Sequence, residues 1–168
     1  MASMLRTGML IGFAWAVTLV SPLTATAEEA ASAELAQAEA EMIEAYGKVP
    51  SWFAAYPEHA RVSAWKWFGD MAGPEGPIPG KYVQLIALAV AAQIPCEYCT
   101  YGHTEFGTQF YGATEEELRH AVSIAADVRH WSTVLRGAGV DPADFKVEID
   151  GIIDHVKAKS AAAQEASE

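Results

Sequence analysis

The sequence predicts an all-α protein, and three stretches carry the prediction. Residues Tyr82 to Ala92 are apolar on nearly every helical face, the mark of a buried helix. Leu118, Ala121, Val122, Ala125, Val128, Ser132 and Leu135 recur at helical spacing. Phe145, Ile149, Ile152, Ile153 and Val156 repeat the pattern near the C-terminus. Around them, the rest of the chain supplies starts, stops and one long loop.

Taken in order, the first 27 residues read as an export signal. Arg6 is the positive flank, Thr7 to Val20 an apolar run of 14 residues, and Ala25-Thr26-Ala27 a small-residue cleavage site. The run is short for a bilayer span, and Ser21-Pro22 ends it. Removing 27 of 168 residues leaves 141, enough for one domain with its own core, and the expected domain is residues 28–168. Arg6 is the only charge removed, so the net charge passes from −11 to −12. Such an acidic chain is a poor partner for nucleic acid or an anionic membrane. The expected location is periplasmic or secreted, with no membrane contact after cleavage.

Glu28 to Tyr46 is Ala- and Glu-rich with few large apolar residues (Leu35, Met42, Ile43), so it predicts a helix with a weak hydrophobic face. Pro50 opens a region of aromatic rings, Trp52, Phe53, Tyr56, Trp65, Trp67 and Phe68, expected mainly in the core. His59 is placed at a solvated helix start. Three prolines and three glycines within Ala72 to Gly80 exclude a helix there, and a loop is predicted that does not separate domains. The buried helix follows, until Ile94-Pro95 breaks it. A second helix is expected to begin at Pro95 and run to Tyr111, with Gly112 ending it. Thr114 and Glu117 form a capping box for the next helix, which runs to Arg136 before Gly137. His120 and His130 fall off its apolar stripe and read as surface residues. Asp141-Pro142 starts the last helix, and the tail after Lys159 is expected to fray.

Chemistry concentrates in Cys96-Glu97-Tyr98-Cys99-Thr100-Tyr101-Gly102-His103, which holds both cysteines of the chain. In the first turn of a helix, two cysteines three residues apart share a face, and the helix N-terminus favours their thiolates. His103, four residues beyond Cys99, is positioned to take a proton from that thiol. The stretch therefore reads as a redox dithiol. Two alternatives stand beside it: a static disulfide, which an oxidising compartment permits, and a structural zinc site, for which Cys96, Cys99 and His103 supply three of four ligands. Covalent haem is excluded because Thr100 stands where histidine would follow Cys99. No cofactor or metal is expected.

Lys81 to Ala92 followed by Cys96-x-x-Cys99-x-x-x-His103 resembles the AhpD-like alkylhydroperoxidase and carboxymuconolactone decarboxylase superfamily, over about Pro79 to Arg136. The resemblance implies an all-α domain in which a buried antiparallel helix pair carries the site. It also implies a homo-oligomer, a trimer or hexamer, that reduces a hydroperoxide or disulfide substrate with electrons from a dithiol donor. By motif position Cys99 would attack the peroxide, Cys96 would resolve the product, and His103 would relay protons. The superfamily pattern has glutamate twelve residues before the first cysteine; here that residue is Gln84. Counting outward from the break at Ile94-Pro95 places Gln84 and His103 at similar height on antiparallel helices. A buried amide bonded to backbone is the plainer reading of Gln84. The decarboxylase branch implies a different chemistry, lactone cleavage without a dithiol.

Overall fold

A computed structural model describes residues 22–165, and among them are seven helices and no strand. The expected export signal lies outside the described residues except for 22–27, which are helical. Two compact units divide the chain between Met71 and Ala72, within a residue of the predicted loop.

The first unit holds α1 (Pro22–Tyr46), α2 (Ser51–Ala54) and α3 (Glu58–Ala72). Its core is Ala38, Met42 and Phe53, with Val49, Val62, Trp65 and Phe68 packed around them. The weak apolar face of α1 thus buries Ala38 and Met42, one turn apart, whereas Ile43 is exposed. Phe53 meets Trp65 and Phe68 edge-on at 5.4 and 5.5 Å between centroids. The indole of Trp65 donates to Glu41 at 2.7 Å, so its one polar atom is satisfied. The expectation of a mainly buried aromatic set is corrected for Trp52, Tyr56 and Trp67, whose rings are exposed.

The second unit holds α4 (Gly80–Gln93), α5 (Glu97–Tyr111), α6 (Glu115–Gly137) and α7 (Pro142–Glu165). Helix α4 packs on both α5 and α6. The first two run antiparallel: Gly80, at the start of α4, lies against the Tyr111 ring at the end of α5, and Gln84 lies against Gly107. Leu88, Ala113 and Leu118 form the core, with Leu85 beside them. Gly112 makes the turn out of α5 in the left-handed conformation that glycine adopts without penalty, at φ +66°. The capping box is present as expected, Thr114 Oγ1 accepting from the Glu117 amide at 3.1 Å and the Glu117 carboxylate from the Thr114 amide at 2.8 Å. Lys81 bonds the same carboxylate at 2.6 Å, tying α4 to the start of α6 and holding Glu117 below the usual carboxylate range.

Three expectations change here. Helix α4 is not buried all round, because Tyr82, Ile86 and Val90 form an exposed stripe at four-residue spacing. The stripe of α6 is buried at Leu118 and Ala121 but open at Val128, which is 63% exposed. Length explains this, since 23 residues extend about 35 Å and the 14 of α4 only about 21 Å. Finally, α7 continues to Glu165 rather than fraying after Lys159, as its alanine-rich end favours. Its Asp141 cap is as predicted, accepting from the Ala143 amide at 2.8 Å.

Candidate active site

Cys96 and Cys99 stand at the start of α5, and His103, one turn further along that helix, meets Gln84 of α4. Cys96 and Cys99 are joined as a disulfide, with their Cα atoms 5.3 Å apart. Helix α5 starts two residues later than Pro95 would have it. Glu97 is the first helical residue, and Cys96 is the N-cap, with extended backbone. Its Sγ accepts from the Cys99 amide at 3.2 Å, as a serine or aspartate oxygen would at such a cap. The first turn of α5 is thus organised on a cysteine sulfur, and proline lies outside the helix. With both sulfurs bonded to each other, neither is free to bind zinc in this state.

His103 lies one turn beyond Cys99 and is half-buried. Its Nδ1 is 2.8 Å from Oε1 of Gln84. Because a carboxamide oxygen faces the ring, Nδ1 carries the proton and donates, which leaves the Nε2 lone pair available. Burial lowers the His103 pKa below its ordinary value, so the neutral ring is favoured. Gln84 is 6% exposed and makes this side-chain bond, so it joins His103 rather than ending on backbone. His103 and Gln84 thus meet across α5 and α4, at the matching heights that counting from Ile94-Pro95 gives.

Sequence reasoning did not mark Gly107. A Cβ there would stand 3.3 Å from Cβ of Gln84, so glycine is what allows the two helices to approach at the level of the Gln84–His103 bond. Its signal was a glycine inside a helix, four residues after His103. An open groove of about 630 Å³ was also missed; it runs along α5 beside Cys96. His59, His120 and His130 are exposed.

Fold and site together define a class: an all-helical protein with a cysteine pair at a helix N-terminus and a histidine–amide pair behind it. The chain belongs to the carboxymuconolactone decarboxylase family, whose model matches residues 50–141. That match begins upstream of the cysteine motif and covers more than half of the chain. Among curated proteins, the chain is 38% identical over 55 residues to "Uncharacterized protein 4 in cox locus" of Paracoccus denitrificans. The aligned stretch is 33% of this chain and 49% of that protein, so the chain spans about half the relative's length. No solved structure matches.

Proposed function

We propose that this protein is an exported thiol-dependent oxidoreductase whose Cys96–Cys99 pair cycles between dithiol and disulfide. The observation that carries the reading is the closed disulfide at the start of α5, with the neutral His103 held by Gln84 one turn away. In the peroxidase form, the Cys99 thiolate attacks the hydroperoxide, taking one oxygen as sulfenic acid and releasing an alkoxide that is then protonated. The Cys96 thiol attacks that sulfenic sulfur, water leaves, and the disulfide closes. A dithiol donor reopens it. Nε2 of His103 accepts the proton that frees the thiolate.

Gln84 sets the balance between this chemistry and simple thiol–disulfide exchange. A carboxamide orients His103 but exchanges no proton, and proton assistance is worth roughly 10²–10⁴-fold in rate. Peroxide turnover is therefore slow and exchange with a dithiol is the main activity. Export is supported by Arg6, the apolar run and the Ala25-Thr26-Ala27 site. Homo-oligomerisation is supported by the open apolar faces of α4, α6 and α7.

The test is peroxide consumption by the mature protein with a dithiol reductant, across pH, for wild type, Cys99→Ser and Gln84→Glu. Slow turnover that Cys99→Ser abolishes, and that Gln84→Glu raises with a new ionisation in the profile, is expected. Disulfide that resists mild reductant in the folded protein would instead make it a static bridge.

A further inference from the structure

Cys96, and not Cys99, is among the residues that line the groove at the start of α5. Ala91, Ala92 and Val122 give it apolar walls, and Cys96, Thr100 and Thr104 line it from α5. His103 and Gln84 are likewise not among its lining residues. An attacking sulfur that enters along the groove therefore meets Cys96, with Cys99 as the leaving group.

The two threonines differ from four other hydroxyls on helices in this half of the chain. Thr108, Ser123, Thr133 and Ser160 each donate to the carbonyl four residues back. Thr100 and Thr104, on the same helix as Thr108, make no such bond among the described residues, and both residues line the groove. Four residues along a helix rise about 6 Å. Two residues along an extended chain rise about 6.6 Å. Successive same-side backbone groups of an extended peptide thus match the spacing of the two hydroxyls, a repeat that a compact thiol lacks. Glu97 adds a carboxylate to the groove of a chain that already carries −11 overall, which disfavours acidic occupants.

We propose that this groove docks an extended, cysteine-bearing polypeptide segment of neutral or basic charge, whose thiol exchanges at Cys96. The proposal rests on the reading of the pair as redox-active. A partner thiolate attacks Cys96 Sγ; the partner–Cys96 bond forms, the Cys96–Cys99 bond breaks, and its electron pair leaves on Cys99, which takes up a proton. A second partner thiol then attacks the partner sulfur of the mixed disulfide. Cys96 departs as a thiolate that accepts from the Cys99 amide, the partner leaves oxidised to a disulfide, and the protein leaves as a dithiol.

The experiment measures opening of the oxidised full-length mature protein by a blocked neutral peptide with one cysteine between apolar residues, and by 2-mercaptoethanol, at equal thiolate concentration. The peptide is expected to react at least about 10-fold faster. In Thr100→Val/Thr104→Val and in Ala92→Trp the ratio of the two rates falls by about 10-fold or more, following loss of two hydrogen bonds or of groove space. Glu97→Lys shifts preference from a lysine-flanked peptide to an aspartate-flanked one. With an activated peptide disulfide, Cys99→Ser accumulates a mixed disulfide on Cys96, found by mass spectrometry. Equal rates for the two thiols, or a ratio that the double valine variant and Ala92→Trp both retain, overturn the groove while leaving the redox reading intact. An apolar thiol with no peptide group that matches the peptide and ignores the valine variants overturns it equally. If neither thiol opens the disulfide, the redox reading itself fails and takes the groove with it.

Discussion

The two units of this protein are packed by opposite means. Around Phe53 the spacing between helices is filled by rings, with Trp65 and Phe68 at 5.4 and 5.5 Å. Around Gln84 the two helices meet at a glycine, Gly107, with Ala113 and Leu118 beside it. Rings remove much apolar area from water but keep backbones apart. Small residues bury less and bring backbones together, which is what a short carboxamide on one helix needs to reach a ring nitrogen on the next. The first unit is packed for burial and the second for approach.

Breaking the first arrangement gives the largest expected effect. Phe53→Ala should cost about 3–5 kcal/mol, the range for loss of a buried ring, read from denaturant unfolding. If it costs under 1 kcal/mol, the rings are not what holds that unit. Gly107→Val should cost less, about 1–3 kcal/mol for overpacking, yet it should also disturb the site. As α4 and α5 separate, the His103–Gln84 bond lengthens and the ring gains water, so the pKa of His103 measured by NMR should move back towards its ordinary value. A destabilised variant with an unmoved histidine would show that close approach is not what sets the pair.

The smallest effect sharpens the contrast through pH. His103 has its pKa lowered by burial, so between the folded and unfolded values the unfolded chain holds more protons. Its contribution to stability is therefore full above about pH 6.5 and is lost as pH falls through the lower, folded value. Urea midpoints measured downward from neutral pH should decline more steeply in wild type than in His103→Gln. Equal slopes would mean that burial of the ring is not felt in folding.

Local chemistry was legible in the sequence and neighbourhood was not. Thr114 with Glu117, Asp141 with Pro142 and the Gly112 stop were read correctly because each is decided within four residues. The Gln84–His103 pairing was also readable, since a single break between two helices fixes which heights meet. The open stripe at Tyr82, Ile86 and Val90 was hidden, because apolarity says that a face could be buried and not whether another helix is there to cover it. The overshoot of α6 depended in the same way on the length of α4. The start of α5 failed for another reason: proline at Pro95 is a familiar first helical residue, whereas cysteine is a rare cap, and the rare cap won.

That rare cap gives the first turn of α5 an unusual property. The atom on which the helix begins is neutral in the disulfide and can carry a full negative charge once the pair is reduced. A charged acceptor binds an amide more strongly than a neutral one. The start of α5 should tighten when the protein takes up electrons and loosen when it gives them up. Helix order at that end is thus coupled to oxidation state through one backbone proton, and hydrogen exchange at the Cys99 amide would report the electron count of the site directly.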